Sequence, residues 1–211
     1  MQHGGRLIVF EGISGSGKSS LMEKVGLLLG ESEYEVTFRK WNENEKIEKI
    51  KRFLRTRKSN HPKLYSYVEW MGFLWSYFFR IKPSLKENNV VLCDRYVYTG
   101  ISRDLSNLLV PRIGKRIHKR LWKSDVVIYL DESTEVCCSR IYTRGKSLYY
   151  TNKRLRSMRT SRNRDKEYLE ICKSAYEQCF MDICKEDHLQ IEKVESDIEV
   201  RYLYDMIKSY L

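Results

Sequence analysis

The junction between Arg6-Leu-Ile-Val-Phe-Glu11 and Gly12-Ile-Ser-Gly-Ser-Gly-Lys-Ser-Ser20 constrains the fold more than any other feature of this chain. The first segment is a short apolar run of the kind that forms a buried parallel strand. The second has the spacing Gly-x-x-x-x-Gly-Lys-Ser, and Leu21, Met22, Val25, Leu28 and Leu29 follow at helical spacing up to Gly30. Strand, glycine-rich turn and helix, in that order, are the context in which this spacing binds phosphate. Glycines allow the backbone angles and close approach that a phosphate needs, and amide N–H groups at the positive end of a helix bind its oxygens. The pattern predicts a site for ATP or GTP built from Gly12, Ser14, Gly15, Ser16, Gly17, Lys18, Ser19 and Ser20. Lys18 would neutralise the β- and γ-phosphates and the Ser19 hydroxyl would hold Mg²⁺.

Beyond this loop, apolar runs alternate with helical periodicity. Val36 and Phe38 alternate with polar neighbours over 34–39, which predicts a second strand. A charged helix over 43–58 has Ile47, Ile50, Phe53 and Leu54 on its buried face, and an aromatic-rich helix over 63–87 bends near Pro83. Val90-Val-Leu-Cys93 and Asp125-Val-Val-Ile-Tyr-Leu-Asp131 are further strands. Residues 134–144 form a helix capped by Ser133, 166–185 another helix, 188–192 a last short strand and 197–211 a closing helix. Short strands alternating with helices describe an α/β fold around a mostly parallel sheet. With 211 residues, no internal repeat and no linker, the chain reads as one domain over 1–211, with a mobile lid segment near 145–164.

Two further clusters carry chemistry. Asp94-Arg95-Tyr96 ends an apolar strand, and ligands in open α/β sheets sit at the carboxyl ends of strands, so this tripeptide should face the phosphate loop. Asp94 can orient Mg²⁺, and Arg95 can bridge donor and acceptor phosphates. The second cluster is Arg144, Lys146, Lys153, Arg154, Arg156, Arg159, Arg162 and Arg164, opposed by Asp165. Phosphoryl transfer needs positive charge on the moving group and exclusion of water, and a flexible arginine-rich segment suits that task. Arg159 and Arg162 are the candidates.

Thirty-nine Lys and Arg against 28 Asp and Glu give a net charge of +11, which favours an anionic partner. Six cysteines without a C-x-x-C pair or matched histidine spacing argue against a zinc site. No apolar run approaches the roughly 20 residues needed to span a bilayer. Residues 1–11 lack the apolar core of a signal peptide, so the expected location is cytoplasmic, with no membrane partner.

Taken together, these residues resemble the thymidylate kinase family, within the P-loop nucleoside and nucleotide kinases. Phe10 to Ser20 looks like its opening strand and phosphate loop, and Ile81-Lys-Pro-Ser-Leu85 with Val91-Leu-Cys-Asp-Arg-Tyr96 resembles its helix and D-R-Y strand. Tyr98-Thr-Gly-Ile101 continues the match, and Asp125 through Arg140 to Arg144-Gly145 resembles the fourth strand, its helix and the start of the lid. The resemblance implies a P-loop NTPase fold with a five-stranded parallel sheet flanked by helices, an ATP donor and Mg²⁺. It also implies a nucleoside monophosphate acceptor, dTMP or a related nucleotide, and pairing into a homodimer.

The departures fall on the acceptor side. Ser14 replaces the family's carboxylate near the sugar, and Arg39-Lys-Trp-Asn42 keeps only the Arg of R-E-P-G. In Glu69-Trp-Met-Gly-Phe-Leu-Trp75, Trp70 can stack on a base, but neither Phe73 nor Leu74 can grip a phosphate as the family's Arg does. After Thr99-Gly100, Arg103 and Asp104 replace an aromatic and a polar base-reading residue. Arg103 is the candidate to replace the lost phosphate contact, and Asp104 can accept from an exocyclic amine; a surface ion pair between the two is the alternative. The acceptor is therefore placed among Arg39, Trp70, Asp94, Arg95, Arg103 and Asp104.

Two other functions compete. A nucleoside kinase would need a carboxylate base, Asp94 or Glu43, for a hydroxyl nucleophile. A P-loop protein binding nucleic acid with little turnover would use Arg112, Lys115, Arg116, Lys119, Arg120 and Lys123, or Lys49, Lys51, Arg52, Arg55, Arg57 and Lys58.

Overall fold

The computed structural model describes residues 4–32, 34–56, 61–87, 89–145, 148 and 161–211; the side chains of Thr56 and residues 161–163 lie outside that description. Five strands, β1 (Arg6–Gly12), β2 (Val36–Lys40), β3 (Val90–Asp94), β4 (Val126–Leu130) and β5 (Ile191–Val194), form one sheet in the order β2-β3-β1-β4-β5. Every pairing is parallel. The side-chain alternation of a strand divides β1 between two cores. Leu7 and Val9 join Val91, Cys93, Val127 and Tyr129 on one face. Ile8 and Phe10 join Leu92, Ile128 and Leu130 on the other. Both faces are covered by helices, which is why the central strands read as unbroken apolar runs.

The second face is closed by α1 (Lys18–Gly30) and the last helix, α9 (Val200–Lys208), through Leu21, Val25, Leu29, Leu203 and Ile207. The first is closed by α3 (Pro62–Ser76), α5 (Val97–Ser106) and α8 (Ser161–Cys184), which contribute Trp70, Phe73, Ile101, Leu169, Tyr176 and Phe180. Burial of each such side chain contributes about 1.5–3 kcal/mol. The other described α-helices are α2 (Glu45–Thr56), α4 (Lys82–Lys86), α6 (Arg112–His118) and α7 (Thr134–Thr143). Ser133 caps α7 as the sequence predicts, its Oγ accepting from the Val136 amide at 3.3 Å.

Some boundaries differ from expectation. The first helix begins at Lys18, inside the glycine motif, so the amides of its first turn face the loop. The helix expected to bend near Pro83 changes geometry just upstream of it, where Tyr77–Ile81 is a π-helical stretch closed by the Lys82 amide bonding to the Tyr77 carbonyl. Pro83 has no amide to give the preceding turn and its ring crowds that turn, and the wider π geometry accommodates both. The last strand is Ile191–Val194 and not 188–192, because the ladder with β4 pairs Val127 with Ile191 and Leu130 with Val194. Leu189 instead sits in a tight turn, its amide bonded to the Asp187 carbonyl at 2.8 Å.

Candidate active site

The strand order builds the site. β1 leaves the sheet between β3 and β4, and Phe10 pairs with Asp94, so the glycine loop and Asp94-Arg95 emerge side by side at the carboxyl edge. Gly12, Gly15 and Gly17 have φ of 144°, 88° and 94°, a region closed to most side chains. A Cβ on Gly15 would also lie 2.5 Å from the Cys137 carbonyl oxygen of α7. Lys18 folds back over the loop, donating to the Ile13 carbonyl at 2.9 Å and to Ser16 Oγ at 3.2 Å. Burial, with the Arg95 guanidinium nearby, pulls the Lys18 ammonium down to about 7 against the opposing pull of Asp94 and Glu11. This cation is enclosed and lacks an ion-pair partner among the described residues, a condition that a polyphosphate would relieve. On the loop's outer side, Ser19 Oγ donates to Asp94 Oδ2 at 2.8 Å. Arg140 borders the loop from α7, its guanidinium reaching the Gly15 carbonyl at 3.4 Å and Ser196 Oγ at 2.9 Å.

Arg95 is held by hydroxyls. Its Nη1 donates to Tyr176 Oη at 2.8 Å and to Thr99 Oγ1 at 3.3 Å. Both hydroxyls reach Glu11 Oε2, at 2.9 Å from Tyr176 and 2.6 Å from Thr99, while Glu11 Oε1 accepts the amides of Tyr96 and Thr99. Glu11 is fully buried; burial raises its carboxyl, and Arg95 and these donors moderate the rise. Sequence reasoning missed this carboxylate, although a Glu inside a buried apolar run is itself a signal, because such a group must be paired. Tyr176 had no comparable signal: it lies 165 residues from Glu11.

Beside Arg95 opens a cavity of about 210 Å³. Ile13 and Ser14 of the phosphate loop, Arg95, Trp70, Arg103 and Asp104 are among its lining residues. Ser14, Trp70, Arg95, Arg103 and Asp104 therefore converge on one cavity, whereas Asp94, also expected beside the acceptor, is absent from its lining and meets Ser19 instead; two further expected roles change. Trp70 is only 3% exposed, edge-on to Trp41 and Phe73 and packed against Gly100, so its ring is mainly core and its Nε1 donates to Asp104 Oδ2 at 3.0 Å. Arg39 turns away, donating to Ser84 Oγ at 2.9 and 3.2 Å, and is absent from the cavity's lining.

Arg103 and Asp104 do not pair with each other. Asp104 also accepts from Ser66 Oγ at 2.5 Å, and burial raises its carboxyl against those two donors. Arg103 reaches across to Glu69 of α3, whose other oxygen lies 2.6 Å from the buried Lys51 ammonium of α2. Burial opposes ionisation of Glu69, but Arg103 and Lys51 outweigh it and hold the carboxyl at about 2. Neither Glu69 nor the partner role of Lys51 is visible in the sequence, because three different helices supply the cluster. Phe73 is fully buried, as its failure to match a phosphate-binding Arg suggests.

Of the segment near 145–164 expected to form a lid, residues 146–147 and 149–160 lie outside the described residues, Arg159 among them, as does the Arg162 side chain, and α8 already begins at Ser161. Arg57 and Lys58 lie outside them too. The basic face of α6 and the turn after it is partly neutralised by α8 and its following turn: Lys115 meets Asp182 at 2.7 Å, Lys119 Glu186 at 2.9 Å and Lys123 Asp187 at 2.5 Å. All six cysteines are free, and no group of three or more metal-ligating side chains occurs among the described residues. No described helix is long and apolar enough to cross a membrane.

A glycine-rich loop at the carboxyl edge of a parallel sheet, sharing a wall with a cavity lined by Arg95 and Arg103, is the arrangement of a P-loop phosphotransferase. Residues 10–198 match the thymidylate kinase family, and the chain belongs to that family of nucleotide kinases. It is 33% identical over 137 residues to the probable thymidylate kinase 2 of Saccharolobus solfataricus, a match covering 65% of this chain and 64% of that protein. It is 25% identical over 209 residues to the thymidylate kinase of Mycoplasma capricolum subsp. capricolum, covering 94% and 90%. The thymidylate kinase of Leptospira borgpetersenii serovar Hardjo-bovis is 30% identical over 162 residues, covering 74% and 79%.

Proposed function

We propose that the protein transfers the γ-phosphoryl group of ATP to a nucleoside monophosphate bound in the cavity beside Arg95, with dTMP, the acceptor implied by the relatives' names, as the first substrate to test. The observation that carries this reading is the shared wall: Ile13 and Ser14 of the phosphate loop line the same cavity as Arg95 and Arg103. Donor and acceptor phosphates can then lie adjacent, and in this chemistry positioning and charge do most of the catalytic work.

The chain supplies definite parts. Loop amides and Lys18 take the donor phosphates. Ser19 and Asp94, already in contact at 2.8 Å, offer the few oxygen ligands that Mg²⁺ needs beside water and phosphate, and the ion would neutralise charge on the phosphate oxygens. Arg95 bridges the two substrates, and Arg103 takes the acceptor phosphate in place of the arginine missing from α3. Arg159 and Arg162 are the proposed lid cations. Exposed Leu64, Tyr67, Met71, Phe78 and Phe79 make an apolar stripe along α3 and its π-helical continuation, which supports a homodimer.

A monophosphate acceptor is favoured over a nucleoside because a phosphate oxygen is its own nucleophile. A hydroxyl requires a base: neither Asp94 nor Glu43 is among the residues lining the cavity, and the carboxylates that do line it are already engaged, Glu69 with Lys51 and Arg103, and Asp104 with Ser66 and Trp70. The nucleic-acid reading is weakened by the three ion pairs that neutralise Lys115, Lys119 and Lys123 on the α6 side. The test is ATP-to-ADP conversion with Mg²⁺ across nucleosides and their monophosphates, with Lys18→Ala as control. Turnover specific to a monophosphate and lost in the control supports the reading; turnover with nucleosides alone, or with no acceptor, overturns it.

A further inference from the structure

Arg95 stands at the meeting point of both substrate sites, and its side chain is long enough to point elsewhere. Its backbone φ is 75°, so the chain turns sharply as it leaves β3. A free guanidinium in such a position has several rotamers, and only some serve a phosphate bridge. What holds it is a small buried network. Glu11, on β1, is anchored through Oε1 by the amides of Tyr96 and Thr99 at 2.8 and 3.2 Å. Its Oε2 faces the Thr99 and Tyr176 hydroxyls, which are 2.8 Å apart. A hydroxyl has one proton and two lone pairs. With its proton directed to Glu11, each hydroxyl presents a lone pair to Arg95 Nη1.

We propose that Tyr176, oriented by Glu11, is a positioning residue that fixes the Arg95 guanidinium toward the phosphate loop and acceptor cavity. Its functional consequence rests on the phosphoryl-transfer reading above. Tyr176 makes the shorter of the two bonds to Arg95, 2.8 Å against 3.3 Å for Thr99. Its ring is locked independently of the hydroxyl, with ring centroids 5.5 Å from Tyr129 and 5.9 Å from Phe180, and the residue is 3% exposed. Tyr176→Phe therefore removes the nearer of Arg95's two acceptors while retaining the packing. It also releases one donor from Glu11, which keeps Thr99 and two amides.

The experiment has two arms on the full chain. In ¹⁵N-labelled protein, the Arg95 Nη–H signals should be slowed by the bond to Tyr176 and should broaden or average in Tyr176→Phe, with the thermal midpoint lowered by only a few degrees and the fold retained. In the acceptor-dependent assay, Tyr176→Phe should lower kcat by about 10- to 100-fold with little change in KM for ATP. In an Arg95→Lys background the same change should cost less than about twofold, since the group it positions is gone. Unaltered Arg95 signals in Tyr176→Phe, or losses that multiply in the double variant, would overturn the proposal. If the wild type turns over no acceptor, the kinase reading falls, and the spectroscopic arm still decides whether Tyr176 holds Arg95.

Discussion

Replacing Glu69 by Gln removes the anion at the centre of the Lys51–Glu69–Arg103 cluster while nearly preserving its shape. Two routes to the magnitude agree. The carboxyl falls from its ordinary 4.5 to about 2, equivalent to about 3 kcal/mol of stability at neutral pH. Breaking a buried ion pair from one side costs about 3–5 kcal/mol, because a charge is left uncompensated. The lower end applies here: Lys51, with a 5% exposed side chain, retains Glu48 at 2.6 Å, and Arg103, at 37%, is partly screened by solvent. The sign follows from a folded-state pKa below the unfolded one. The contribution is fully present above about 4.5 and is lost as the pH falls towards 2.

The assay is urea denaturation of wild type and Glu69→Gln at several pH values. The difference in unfolding free energy should be about 3 kcal/mol at pH 7 and shrink by more than half at about pH 3. The difference between the two proteins isolates this carboxyl from general acid effects. A difference below about 0.5 kcal/mol at neutral pH, or one that does not change with pH, would refute the reasoning.

Other outcomes follow from the same geometry. Because free Lys18 lies at about 7 and phosphates favour its charged form, ATP binding should take up a proton at about pH 8 and not at pH 6; calorimetry in buffers of different ionisation enthalpy measures this, and Lys18→Ala should show no such uptake. Gly15→Ala puts a Cβ 2.5 Å from the Cys137 carbonyl at a φ of 88°; it should abolish measurable ATP binding and destabilise the fold by about 1–3 kcal/mol, read by calorimetry and thermal denaturation. Ser133→Ala should cost about 1 kcal/mol through loss of the α7 cap, with acceptor-dependent turnover unchanged.

The donor half of the site was legible because its signals are contiguous. One stretch of sequence contains the strand, the glycines that permit positive φ, the lysine and the helix start, so local backbone physics determines what it builds. The same holds for the central strands, buried on both faces and hence continuously apolar, and for Ser133 as a cap. The π-helical stretch before Pro83 and the misjudged last strand show the limit of local reading: a proline's effect is absorbed by the turn before it, and strand ends are set by the partner's ladder. The acceptor half depended on tertiary structure. Periodicity marks Trp70, Glu69 and Tyr176 as helix residues but carries no information about which distant groups they meet. Only the packed fold brings Lys51, Glu69 and Arg103 from three helices into one buried cluster, pairs Asp104 with Ser66 and Trp70 and not with its neighbour, and turns Arg39 towards Ser84. The sum of charges predicts an anionic partner; burial and distance decide which of those charges remain available to bind it.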